Sequence, residues 1–91
     1  MKRLGDPKIK ELVLDVLKSY TPSLPVFATF IAEHLGVESV EVSLIEKDQR
    51  TESLVVILQG CDIIYDSLQE HMGKQGAVIH SVDKVVVESG E

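Results

Sequence analysis

The segment Ser53 to Gln59, SLVVILQ, is apolar at every position from Leu54 to Leu58. So short a run, bounded by polar residues, is expected of a central strand buried on both faces. It falls far below a membrane span. Three further segments show the two-residue period of a strand. In Ile9 to Lys18 (IKELVLDVLK), Leu12, Leu14 and Val16 alternate with Glu11, Val13, Asp15 and Leu17. In Val37 to Lys47, Val40, Val42 and Leu44 alternate with Glu41, Ser43 and Ile45. Ala77 to Val87 forms the last strand, and Asp48-Gln49-Arg50 makes a hairpin loop.

Two helices fit between these strands. Ser23 is placed to cap the first, whose first turn tolerates Pro25. Leu24, Phe27, Ile31 and Leu35 form its apolar stripe, and Gly36 ends it in the left-handed conformation. Asp62 is placed to cap the second, with Ile64, Leu68 and Met72 inward and Gly73 at its end. The stretches EHLG (Glu33 to Gly36) and EHMG (Glu70 to Gly73) recur at the two helix ends. A histidine there, His34 or His71, is favoured by the macrodipole when protonated. Convergent capping explains the repeat as well as duplication does.

The order β-α-β-β-α-β predicts an α+β, ferredoxin-like sandwich. Its four-stranded antiparallel sheet has spatial order 4-1-3-2, with two helices on one face. Residues 1–91 form a single domain, with a flexible basic segment at 1–8 and a tail at 88–91. The aromatic content is 4%, so the core rests on Val, Ile and Leu. A core of that kind in so small a domain gains from burial against a partner chain.

A net charge of -6 argues against nucleic-acid binding, which needs a basic patch. Lys2, Arg3, Lys8 and Lys10 gather at the start, as in a solubilising tail. The first residues lack the apolar run of a signal peptide, and no membrane association is expected. The lone Cys61 excludes an internal disulfide and any paired-cysteine metal site. These features read as a cytoplasmic protein.

One face of the predicted sheet is bare in a monomer. With Leu12, Leu14 and Val16 toward the helices, Val13, Asp15 and Leu17 lie on that open face, as do Glu41, Ser43 and Ile45. The third strand offers apolar residues either way. An open face of this composition suggests cover by another subunit; a solvated face with scattered apolar residues is the alternative.

Ile79 to Asp83 (IHSVD) holds a histidine, a serine and an aspartate. Strict alternation points His80 away from Ser81, so the serine cannot bond the histidine as a triad requires. His80 is instead expected on the open face with Asp15, as a cross-strand pair that is proton-sensitive, ligand-binding or simply structural. Asp83, on the same segment, completes the candidate ligand-binding set. A second candidate is Asp62 with Asp66, which could hold calcium together with loop carbonyls. The reading favoured over it is an N-cap with a first-turn acid that complements the helix dipole. Cys61 reads as a small buried residue. No glycine-rich phosphate loop or histidine cluster is present, and no catalytic residue is assigned.

The stretches LVLDVLK, Gly36–Val37 and GAVIHSVDKVVV together resemble the archaeal domain-of-unknown-function family 211, over residues from about Lys10 to Glu88. Lys84, where the family carries an acid, and Lys74-Gln75-Gly76, where it carries a glycine pair, depart from its pattern. The resemblance implies the ferredoxin-like fold and homo-oligomeric closed rings of six or seven subunits. It carries no activity and no catalytic residue across.

The first functional expectation is a non-enzymatic, ring-forming protein that binds a small ligand or a cation such as calcium at subunit contacts. The alternatives are a metabolite-sensing regulatory module and an enzyme with an intersubunit site. Against the regulatory module stands the first strand–helix turn, SYTPSLP, which holds two prolines where that class places glycines. The enzyme would combine His80 with acids of a neighbour.

Overall fold

The computed structural model describes residues 5–89. Six elements follow in the expected order: β1 (Lys8–Ser19), α1 (Leu24–Ala32), β2 (Val37–Lys47), β3 (Thr51–Gly60), α2 (Tyr65–Gly73) and β4 (Ala77–Glu88). The sheet order is β2-β3-β1-β4, with every neighbouring pair antiparallel. This is the ferredoxin-like sandwich, with β1 and β3 central. The basic segment and the C-terminal tail expected from the sequence lie partly outside the described residues, at 1–4 and 90–91.

Cross-strand register decides which apolar set of β3 meets the helices. Leu12, Leu14 and Val16 stand opposite Leu58, Val56 and Leu54. Directly opposed residues share a face, and all six are buried, together with Phe27 and Ile31 of α1 and Leu68 and Met72 of α2. Each such side chain contributes about 1.5–3 kcal/mol by leaving water. Val55 and Ile57 consequently lie on the open face, half-buried beside Asp15 and Val13.

Both helices depart from the expected stripes at one end. Leu35 is 85% exposed, because α1 stops at Ala32 and the chain turns through Gly36 at φ +89°. In α2 the N-cap is Ile64, so Asp62 does not cap the helix. Ile63, 1% exposed, takes the core position expected of Ile64, which is 49% exposed. The Ile63 N–H donates to the Ile9 carbonyl at 3.0 Å, which holds the chain extended and delays the helix to Tyr65. Cys61, expected to be buried, is exposed for the same reason: the core position belongs to Ile63.

The close approach of two loops builds this region. The Cys61 N–H donates to the Gly36 carbonyl at 3.1 Å. A Cβ on Gly36 would lie 2.3 Å from the Asp62 carbonyl oxygen, and one on Gly60 would lie 1.9 Å from the Gly36 oxygen. Only glycine allows the backbones to pass so closely.

A charged residue stands inside the core. Lys18 is 1% exposed; its Nζ donates to the carbonyls of Ser19 (2.8 Å), Tyr20 and Pro22. Those bonds use the three ammonium hydrogens. Glu52, its cross-strand partner, brings Oε1 to 3.0 Å of Nζ as an ion pair. With the hydrogens committed to carbonyls, that oxygen has the charge contact without a hydrogen bond.

The β2–β3 hairpin is closed by Asp48. Its carboxylate accepts from the backbone N–H groups of Arg50 and Thr51, which hold its pKa below the usual carboxylate range.

Helix and strand lengths do not match. Nine-residue α2 is about 13.5 Å long at 1.5 Å per residue. Twelve-residue β4 runs roughly 40 Å at about 3.3 Å per residue. Val82 and Val85 stand opposite the buried Leu14 and Leu12, on the helix side, yet remain 44% and 51% exposed.

Candidate functional site

The edge strand β4 is bulged at two of the three polar positions of IHSVD. Its register against β1 shifts between Asp15 and Val16, and again between Val13 and Leu14. His80 and Asp83 occupy the extra positions. A bulge resets the alternation, so the residue opposite Asp15 is Ser81, not His80. No ion pair joins Asp15 to His80 among the described residues. The expected cross-strand pair is thus replaced by another grouping. Ser81 Oγ donates to Asp83 Oδ1 at 2.8 Å, and Asp15 lies across from Ser81 on the open face. This puts three oxygen-bearing side chains on one face of the β1–β4 ribbon. Lys84 approaches Glu11 at 3.5 Å nearby.

A second cluster lies between the helices, where sequence reasoning saw only two helix ends. His34 and His71 have ring centroids 5.0 Å apart. His71 stacks on Phe30 at 4.0 Å, and its Nε2 donates to the Phe30 carbonyl at 2.9 Å. His34 Nε2 is 2.8 Å from Ser67 Oγ, while its Nδ1 is buried without a partner. Burial first, and then the charge of His71, lower the His34 pKa below its ordinary 6.5; the backbone of Leu35 and Ser67 opposes them. The net direction is downward, so the folded environment favours the neutral form of His34.

A pH dependence follows. The unfolded chain takes up a proton near the ordinary pKa, before the folded chain does, so stability is full above that value and falls below it. The melting temperature is expected to drop between about pH 7.5 and 5.5, and His34→Gln to flatten that slope. Identical slopes in the two proteins would remove His34 from the account.

The third cluster lies at the end of the sheet where β1 begins and β3 and β4 finish. A cleft of about 400 Å³ is lined by Asp6, Lys8, Lys10, Cys61, Asp62, Glu88 and Ser89. Asp62 reaches it from the loop before α2, whereas Asp66 stands in the first turn of α2. The two acids therefore do not share the single helical turn that the sequence suggested. Among the described residues, no three His, Cys, Asp or Glu side chains converge as a metal site. No described helix is long and apolar enough to cross a membrane.

Comparison with known proteins adds the family. An uncharacterized protein of Methanocaldococcus jannaschii is 32% identical over 78 residues, covering 86% of this chain and 80% of that protein. The model of the family DUF211, described as "Uncharacterized ArCR", matches residues 10–90, from the middle of the first strand's bulge to beyond the last strand. With the fold, the IHSVD edge strand and both glycine-dependent loops inside that match, the chain belongs to DUF211.

Proposed function

We propose that this chain is a cytoplasmic, non-enzymatic subunit of a homo-oligomeric ring, which binds a cation such as calcium where subunits meet. The observation that carries the reading is the uncovered β4 edge. Val82, Val85 and Val87 are 44%, 51% and 51% exposed on a strand whose outer side has no neighbouring strand among the described residues. The opposite edge, β2, is also free. Two different edges on opposite sides favour head-to-tail contacts, which close into a ring when the rotation per subunit permits. The bulges of β4 interrupt regular backbone pairing, so apolar side-chain contact carries the interface.

Asp15, Ser81 and Asp83 supply oxygen ligands beside this edge, with His80 in the adjoining bulge. Calcium takes six to eight oxygens, so one chain's set is incomplete and a neighbouring subunit or water supplies the rest. Native mass spectrometry tests both parts. A single closed ring is expected, with added calcium mass that a chelator removes and that Asp83→Asn abolishes. Val85→Lys should release monomers. A wild-type monomer throughout the micromolar range would overturn the ring, and a ring with no calcium mass would overturn the cation site.

A further inference from the structure

The cleft at the start of β1 is unlike the rest of the surface in its charge arrangement. Lys8 and Lys10 stand on the central strand, Asp62 on the loop after β3, and Glu88 at the end of β4. Cations thus occupy the middle, with an acid on each flank. Lys8 and Glu88 are register partners, yet none of these four groups makes an ion pair with another. Two ammonium groups therefore face the cleft beside the carboxylates of Asp62 and Glu88, uncommitted to one another, and Asp6 adds a third carboxylate to the lining.

The walls are held in place. Lys10 sits in the β1 bulge, where the register shifts between Ile9 and Glu11, and bulges re-aim side chains. Cys61 and Asp62 are fixed by the bond to the Gly36 carbonyl, by buried Ile63 and by the Ile63–Ile9 bond. The volume of about 400 Å³ suits a small metabolite.

Charge decides the ligand class. A simple anion would meet the two lysines but face three carboxylates, and a simple cation would meet the carboxylates but face both lysines. A molecule bearing both signs a few bonds apart satisfies both sets. We propose that this cleft binds a small zwitterion of amino-acid size, its carboxylate on Lys8 and Lys10 and its ammonium on Asp62 or Glu88. The site is separate from the Asp15–Ser81–Asp83 group and does not depend on the ring.

Amide NMR of the full chain, titrated with each protein amino acid in turn, is the test. At least one amino acid should shift the amides of Lys10, Cys61 and Asp62 saturably. Lys10→Gln and Asp62→Asn should each weaken it about tenfold, the loss of one charged contact. Both substitutions preserve size on accessible side chains, and the undisturbed amide spectrum verifies the fold. Acetate or methylammonium alone should give no saturable shift. The proposal fails if no amino acid saturates these shifts, if both variants bind as the wild type does, or if acetate reproduces the effect. Native mass spectrometry of the same samples reads the ring independently, so loss of one property is distinguishable from loss of the other.

Discussion

Replacing Lys18 by methionine should lower the unfolding free energy by about 3–5 kcal/mol, the range for removing one partner of a buried ion pair. Methionine fills most of the volume of the lysine stem, so packing changes little. What disappears is the ammonium. The carbonyls of Ser19, Tyr20 and Pro22 lose their shared donor, and Glu52, itself only 9% exposed, loses its countercharge. A small domain has about 5–15 kcal/mol in total, so the variant would stand near the limit of folding. Urea unfolding gives the number directly. The double variant Lys18→Met/Glu52→Leu should recover part of the loss, since it removes the orphaned carboxylate but not the orphaned carbonyls. A single-variant loss below about 1 kcal/mol would mean that water replaces the ammonium at little cost.

The second large effect concerns glycine. Gly36→Ala must place a Cβ 2.3 Å from the Asp62 oxygen at φ +89°, so steric overlap adds to conformational strain. Strain in the left-handed region costs about 1–2 kcal/mol, and overpacking against backbone about 1–3 kcal/mol more. The expected loss is about 3 kcal/mol, or a melting temperature lower by roughly 12 °C or more. Gly60→Ala should behave similarly through overlap alone, at 1.9 Å from the Gly36 oxygen. Gly73 is the internal control: nothing lies within 4 Å of its would-be Cβ. Gly73→Ala should be neutral or slightly stabilising, as alanine is the better helix former. Equal losses at all three sites would show that loop approach is not what the first two glycines serve.

The layered architecture was legible because its signals are local. Period-two alternation in the outer segments and the apolar block in β3 give four strands, and the connection order then leaves one plausible sheet. What escaped depends on pairing between distant segments. Leu54, Val56 and Leu58 are as apolar as Val55 and Ile57, so only the register with β1 could assign the faces. The bulges at His80 and Asp83 are properties of the β1–β4 ladder, and they exchanged His80 for Ser81 opposite Asp15. Lys18 looked like an ordinary strand terminus, because its acceptors are carbonyls of the following turn. Ile63 and Ile64 are the same residue type, and a single long-range bond to Ile9 selected which one enters the core.

The histidine cluster did leave a trace. EHLG and EHMG place His34 and His71 at equivalent points of the two β-α-β halves. Phe30 meets His71 and His34 meets Ser67, so the helices run in opposite directions about an approximate two-fold axis. Equivalent residues near such an axis meet each other. A repeat at matching helix ends was therefore a contact signal as well as a capping signal.

The sheet order also sets a timetable for assembly. β1 is the first strand to be synthesised, yet its two neighbours are β3 and β4. Its apolar side has no partner strand until β3 has emerged, and one flank waits for β4. Pairings so distant in sequence close slowly. The nascent chain therefore carries an unpaired, hydrophobic strand until β3 emerges, and the β2–β3 hairpin is the earliest piece of sheet that can form. Substitutions in that hairpin should alter the folding rate, while those along the β1–β4 ladder should chiefly alter the rate of unfolding.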